Sequence, residues 1–127
     1  MKPLLAIAAL SSLVFAAPAA AQDDDSPDTY SVAEHVEAYN AGGELRSITL
    51  IALNSYAEGA AWLQSFGEEV GNKPIYCPPR DKAFTADEYH SILMRFVNGT
   101  PIDGIDQYPL AMIMIVALQE AYPCSSN

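Results

Sequence analysis

Between residues 31 and 121, apolar side chains recur mostly at helical spacing, and turn residues separate the segments. The first segment opens with SVAE, in which Ser31 and Glu34 form the capping-box pattern of a helix start. It ends at Gly42-Gly43, because glycine is typical of a helix end. The pattern predicts a short first helix, with an apolar stripe made of Val32, Val36 and Tyr39.

The longest segment runs from Glu44 to about Val70 and is stopped by the Gly-Asn-Lys-Pro sequence at 71–74. A helix that is apolar on most sides is a central one, wrapped by others, and that position is predicted here. A patch of small residues either lets another helix approach closely or is merely tolerated, and the sequence leaves both open; the patch is Ala57, Gly59, Ala60 and Ala61. The main apolar face is Leu45, Ile48, Ala52, Tyr56, Gly59, Leu63, Phe66 and Val70, and further apolar residues around the first half are Leu50, Ile51 and Leu53.

A third helix is predicted to begin at the second capping box, Thr85 to Glu88, and to end at Asn98-Gly99. Its spacing is that of an amphipathic helix, with His90 on the opposite, solvent-facing side and assigned neither as a ligand nor as a base. Asn98-Gly99-Thr100 also matches a glycosylation sequon, but it is interpreted as a turn. The apolar face is Tyr89, Ile92, Leu93, Phe96 and Val97.

A turn-rich connection leads to Pro109, which suits the first turn of a last helix running to about Ala121. Its sequence LAMIMIVAL is apolar on every side and too short to span a bilayer, so a buried helix is predicted. The fold class is therefore all-α, a small bundle of about four helices, because no segment shows the alternation of a strand.

The first 21 residues have the layout of a secretory signal peptide: a positive start, an apolar run and small residues before Gln22. A membrane anchor is the alternative, but the run is interrupted by Ser11, Ser12 and Pro18. Residues 22–30 are predicted to be an acidic disordered tail, and residues 31–127 a single helical domain. The expected location is the bacterial periplasm, with no membrane association after the signal is cleaved.

The net charge and the absence of known catalytic motifs argue against several classes of function. The chain has 16 acidic and 6 basic side chains, a net charge of −10, which makes nucleic acid and anionic membranes poor partners. Nucleophile elbows, phosphate loops and zinc-protease helices are missing, so no catalytic residue, metal or cofactor is predicted and the protein is not expected to be an enzyme. A pair of catalytic carboxylates from separate segments stays open.

The two cysteines are expected to pair, because an exported chain with an even number of cysteines favours a disulfide. Cys77 precedes the third predicted helix, and Cys124 follows the fourth. Two helices joined by a short loop lie antiparallel, so both cysteines reach the open end of that hairpin. An intrachain disulfide that clasps the C-terminal αα-hairpin is therefore predicted.

The stretch from Leu53 to Cys124 resembles the Rap/Tai family of immunity proteins, which are exported helical proteins of bacteria with type VI secretion. The residues that carry the resemblance are Tyr56 with Glu58-Gly59, Cys77-Pro78-Pro79, Thr85 at a helix start, Ala117-Leu118, and Tyr122-Pro123-Cys124.

The resemblance implies a periplasmic protein that binds a secreted peptidoglycan amidase and inhibits it by protein–protein contact, and that acts in some cases as a homodimer. It implies contact through the loop between the last two helices, where the exposed candidates are Asp103, Asp106, Gln107 and Tyr108. The alternative function is a small periplasmic stress or chaperone-like protein with no toxin partner, which would expose apolar surface on acidification.

Overall fold

The computed structural model describes residues 29–125, which form four α-helices and, within that range, no β-strand. The helices are α1 (Val32–Ala41), α2 (Gly43–Glu69), α3 (Ala86–Gly99) and α4 (Leu110–Ala121), and a short 3-10 helix (Ile105–Gln107) precedes α4. The predicted all-α bundle of about four helices is therefore confirmed. The predicted signal peptide, and all but the last two residues of the predicted tail, lie outside the described residues.

The first two helices form a hairpin with a single residue between them. Gly42 has φ 74° and Gly43 has φ 56°, in the region that glycine adopts without strain, so the chain reverses immediately. The predicted capping box starts α1: Ser31 Oγ accepts the Glu34 N–H, and the Glu34 carboxylate accepts the Ser31 N–H at 2.7 Å. The same pair of bonds between Thr85 and Glu88 starts α3.

The last two helices form a second hairpin, whose open end carries the predicted disulfide. Cys77 and Cys124 are bonded with their Cα atoms 4.9 Å apart. The Cys77 N–H also donates to the carbonyl of Tyr122 at 2.7 Å, which ties the two chain segments beside the bond. The predicted clasp is confirmed, and the predicted apolar face of α3 is buried or partly buried throughout.

Helix α2 lies at the centre, because it contacts α1, α3 and α4. The side chains that it buries are Thr49, Leu53, Ala57 and Ala60. Two residues of the small-residue patch, Ala57 and Ala60, are buried against the neighbouring helices, where small side chains let helices approach closely, whereas Gly59 and Ala61 are exposed.

The prediction that α2 is wrapped on most sides is wrong. Its larger apolar side chains face outward, with Leu63 72% and Phe66 64% exposed. The three partner helices all pack on the side of α2 that carries the small residues, since axes of packed helices approach to about 8–10 Å only where side chains allow it. Periodicity located an apolar face correctly but could not say which of two apolar faces the bundle covers.

Helix α4 is buried on one side only, so the prediction of a fully buried helix is also corrected. Its inner residues are Leu110, Ile113, Met114, Ala117 and Leu118, while Met112 is 44% and Val116 38% exposed. Pro109 lies one residue before the helix, at its N-cap. Among the helices between residues 29 and 125, none is both long enough and apolar enough to cross a membrane.

Candidate protein-binding surfaces

The loop between α3 and α4 carries the four residues predicted to contact a partner. Asp103, Asp106, Gln107 and Tyr108 are all exposed, and Tyr108 keeps 43% of its surface accessible. Gln107 Nε2 donates to Asp106 Oδ2 at 3.1 Å, which orients both polar groups on the outer side of the 3-10 helix. Residues 100–109 contain no lysine or arginine, so this surface is acidic.

The same loop is anchored at its base. Ile105 points into the core and is only 7% exposed. The carbonyl of Tyr108 accepts the Val32 N–H at 3.2 Å, and the Leu110 N–H donates to the carbonyl of Tyr30 at 2.9 Å. Tyr30 belongs to the segment that the sequence assigned to the tail, yet here it fixes the loop to the start of α1. The acidic tip is therefore presented on a rigid base.

A pair of histidines joins α1 to α3. His35 is fully buried, and its Nε2 lies 2.9 Å from His90 Nδ1. On the other side of the ring, His35 Nδ1 lies 2.8 Å from Thr49 Oγ1, which in turn lies 2.6 Å from the Tyr30 hydroxyl. The prediction of a solvent-facing His90 is wrong, because the side chains of His35 and Tyr39, both from α1, contact its ring.

Both histidines are held neutral by their surroundings. Burial lowers the pKa of His35 to about 4, with a further contribution from His90. Burial also lowers the pKa of His90, and the Arg46 guanidinium acts in the same direction while Asp87 opposes it. When both rings are neutral, the N–H of one ring donates to the unprotonated nitrogen of the other. Two imidazolium rings would instead place N–H donors against each other. The pair is therefore sensitive to acid.

An aromatic and a cation cover the outer side of this pair. The ring of Tyr39 stacks on His90 with 3.6 Å between centroids. Arg46 lies over the Tyr39 ring at 4.2 Å and donates to its hydroxyl at 2.6 Å, and it also pairs with Asp87 at 3.3 Å. The stripe that contains Val32 also contains His35, three residues later, and this spacing was the signal in the sequence that could have located His35.

Thr49 Oγ1 and His35 Nδ1 are as close as a hydroxyl nucleophile and its general base. Whether they could act as such a pair depends on whether a substrate can reach the hydroxyl. Thr49 is 2% exposed and His35 is 0% exposed, so a substrate cannot reach the hydroxyl oxygen. The third group in line is an imidazole rather than a carboxylate, so it does not stabilise an imidazolium as a catalytic triad does. We assign the network a structural role. Within residues 29–125, no cluster of histidine, cysteine and acidic side chains could hold a metal ion.

A cleft of about 710 Å³ lies beside the disulfide, between the second half of α2 and residues 74–84. Two of its polar side chains, Gln64 and Lys82, make internal bonds. Gln64 Oε1 accepts the N–H groups of Ile75 and Tyr76, and Lys82 pairs with Glu88 at 3.1 Å. The Gln64 bonds hold Ile75 and Tyr76 against α2, and the Lys82–Glu88 pair joins the same segment to α3.

The outer face of α2 is an exposed apolar surface, although the sequence predicted that most sides of this helix would be covered. Trp62 is 76% exposed, and the other exposed large apolar side chains of the helix are Leu45, Ile48, Ile51, Tyr56, Leu63 and Phe66. Exposed apolar patches of this kind mark interaction sites in soluble proteins. The molecule thus offers two unlike surfaces, one acidic and one apolar.

Comparison with known proteins gives no match to this chain, neither among family models, nor among curated proteins, nor among solved structures.

Proposed function

We propose that this protein is an exported immunity protein that binds a secreted peptidoglycan amidase in the periplasm and blocks its active site. The observation that carries the proposal is the acidic α3–α4 loop, exposed at its tip and anchored at its base through Ile105 and Tyr108. The class of partner comes from the resemblance of residues 53–124 to the Rap/Tai family. The proposal assigns no catalytic activity, metal or cofactor to the chain.

A preformed loop supports such a role because binding then requires little further ordering of the backbone. Asp103 and Asp106 would face the basic rim and the imidazolium of a cysteine–histidine active site, where opposite charges favour docking and its rate. Tyr108 would supply an aromatic anchor of the type that dominates binding energy at protein interfaces. Gln107 keeps Asp106 oriented through the bond at 3.1 Å.

The proposal expects a secreted amidase to be encoded beside this gene, and the test is inhibition of peptidoglycan cleavage by that enzyme. The double variant Asp103→Lys/Asp106→Lys is expected to raise the Kd at least tenfold, which corresponds to about 1.4 kcal/mol. Glu37→Lys/Glu120→Lys is the matched control, since it makes the same change of charge at exposed positions of α1 and α4.

Two outcomes would contradict the proposal. If the amidase does not bind the unmodified protein, the assigned partner is wrong. If the loop variant and its control weaken binding equally, net charge governs the encounter and the loop does not contact the enzyme.

A second candidate function, an acid-responsive chaperone, is favoured by the buried histidine pair together with the apolar face of α2. Protonation would separate α1 from α3 and enlarge the apolar surface available to unfolded clients. Dye binding and client protection that increase as pH falls from about 6.5 to 4 would support it, since histidines and then carboxylates titrate over that range. An unchanged dye signal across this range would exclude it.

A further inference from the structure

Two tyrosines that line the cleft beside the disulfide are almost completely buried, yet their hydroxyl groups have no partner among residues 29–125. Tyr76 is 3% and Tyr89 8% exposed. Every fully buried side-chain oxygen and nitrogen in that range makes a hydrogen bond, so the two unpaired hydroxyls must reach the open space of the cleft. Polar groups of buried side chains are normally hydrogen-bonded, and a ligand in the cleft would complete these two.

We propose that this cleft binds a short peptide that carries a lysine- or arginine-type cation and a carboxylate. The cation binds between the two tyrosine hydroxyls and Glu58 of α2, and the carboxylate pairs with Arg80 on the opposite wall. The proposal depends on this cleft alone. It is therefore independent of the amidase and of the loop between α3 and α4.

Glu58 supplies the negative charge beside the tyrosines. Burial raises the pKa of Tyr89, and Tyr76 and Glu58 raise it further, which places both groups near its hydroxyl. Asn54 Nδ2 donates to one Glu58 oxygen at 2.9 Å, which orients the carboxylate on α2. Phe84 stacks on the Tyr89 ring with 5.2 Å between centroids and fixes that ring at the cleft.

A cation completes this cluster better than a neutral group does. A phenol hydroxyl accepts one N–H and can donate its own hydrogen to a carboxylate, so an ammonium group satisfies all three side chains. A cation in contact with a tyrosine ring is also attracted by the face of the ring. The apolar stem of a lysine or arginine side chain then packs beside Ala61 and Leu118, which line the same cleft.

The opposite wall of the cleft carries positive charge. Lys82 is already paired with Glu88 at 3.1 Å. Arg80 is exposed and forms no ion pair with residues of the described part of the chain. A guanidinium group binds a carboxylate through two charge-assisted hydrogen bonds, whereas it repels a free polyamine. The two walls therefore favour a ligand that carries both charges.

The dimensions of the cleft fit a peptide of about four residues. Its volume of about 710 Å³ lies within the range of about 300–1,000 Å³ that is usual for small-molecule sites. Glu58 and Glu68 line it ten residues apart on α2, a distance of about 15 Å along the helix. An extended chain covers about 3.3–3.6 Å per residue. Pro78 and Pro79 stiffen the other wall, so binding needs little ordering of the protein.

The first experiment titrates the oxidised protein with the peptide acetyl-Ala-Lys-Ala-Ala, which has a free carboxyl terminus, by isothermal titration calorimetry. A Kd of about 1 mM or lower is expected. Glutamine in place of the lysine should raise the Kd about tenfold or more, because bonds to a charged group are lost. Equal affinity for the two peptides, or no saturation by about 10 mM, would overturn the proposal. Spermidine that binds as tightly as the lysine peptide would overturn the assignment of a peptide.

The second experiment locates the cation. Glu58→Gln should raise the Kd of the lysine peptide about fivefold or more and leave that of the glutamine peptide unchanged. Glu69→Gln is the matched control, because Glu69 is exposed on the same helix and does not line the cleft. Equal effects of the two variants would show that net charge, and not the cleft, governs binding.

Tyr76→Phe and Tyr89→Phe keep the rings and remove only the hydroxyls. Each should weaken binding of the lysine peptide about threefold or more without lowering stability in urea, since neither hydroxyl is bonded within residues 29–125. Reduced stability with an unchanged Kd would assign the hydroxyls a structural role and overturn the site.

The third experiment locates the carboxylate. Amidation of the carboxyl terminus of the lysine peptide should raise its Kd about threefold or more, because the pair with Arg80 is lost. In the Arg80→Gln protein, the free and the amidated peptide should bind equally. Arg80 is exposed, so this substitution leaves the core intact. An unchanged preference for the free carboxyl terminus in Arg80→Gln would contradict the assigned orientation.

Discussion

The two helical hairpins of this protein are held together by different chemistry. The α1–α2 hairpin is joined to α3 by buried polar groups, with His35 between Thr49 and His90. The α3–α4 hairpin is closed by the Cys77–Cys124 disulfide. One half of the fold therefore responds to acid and the other to reductant. The proposed partner-binding loop belongs to the second hairpin but is anchored to the first. Acid and reductant can therefore both affect the position of the loop.

The largest effect is expected from opening the disulfide. The variant Cys77→Ser/Cys124→Ser should lose about 4 kcal/mol of unfolding free energy, because the bond restricts a long loop in the unfolded chain. The two cysteines are 47 residues apart in sequence. Urea unfolding of the oxidised protein and of the variant measures the difference.

The loss of the disulfide should leave the structure of the first hairpin unchanged. The NMR signals of His35 and Thr49 should stay in place in the cysteine variant at neutral pH, since both residues lie on the other hairpin. A loss below about 1 kcal/mol would contradict the role of the disulfide as the main constraint, given the usual range of about 2–4 kcal/mol.

The next largest effect is expected from acid. Burial lowers the pKa of His35 to about 4 in the folded protein, against about 6.5 in the unfolded chain. The stabilisation is complete above about pH 6.5 and is lost as pH falls towards 4, because the unfolded state takes up the proton first. The total loss is about 3 kcal/mol, at 1.36 kcal/mol per pKa unit. His90, with its pKa also lowered, acts in the same direction.

Measurement between about pH 6.5 and 5 isolates the histidines, since carboxylates titrate mostly below about 4.5. Over this window the unmodified protein should lose about 2 kcal/mol in urea unfolding. His35→Gln keeps polar atoms beside Thr49 and His90 but cannot titrate, so its stability should change less with pH. Equal slopes for both proteins would show that His35 is not the titrating group.

The second hairpin was largely predictable from the sequence. The spacing of Tyr89, Ile92, Leu93 and Phe96 defines a single apolar face, and one face leaves a helix a single way to pack. Cys77 and Cys124 lie just outside the two helices, and antiparallel geometry then brings them together. The capping boxes at Ser31 and Thr85 were equally clear because they are local.

The surfaces of the first hairpin were not predictable in the same way. Helix α2 has two apolar faces, and which one the bundle covers depends on how closely its three neighbours approach. The bundle covers the face with the small residues Ala57 and Ala60, and the face with the larger Leu63 and Phe66 stays exposed. The contact between His35 and His90 depends on tertiary packing across 55 residues, which no local pattern encodes. The acidic loop was predicted as exposed, but its anchoring through Ile105 was not.

The smallest effect, about 1 kcal/mol each, is expected from removing the two helix caps. Ser31→Ala and Thr85→Ala delete equivalent hydroxyl acceptors, one in each hairpin, whose bonds to the N–H groups of Glu34 and Glu88 are 3.3 and 3.2 Å long. Because the caps start different helices, the two losses should add within about 0.5 kcal/mol in the double variant, as for independent sites. Urea unfolding of the two single variants and the double variant completes the cycle. A larger deviation from additivity would mean that the two hairpins are energetically coupled, through the contacts of Tyr30 and Val32 with the α3–α4 loop. In that case, acid that destabilises the first hairpin would also destabilise the loop of the second.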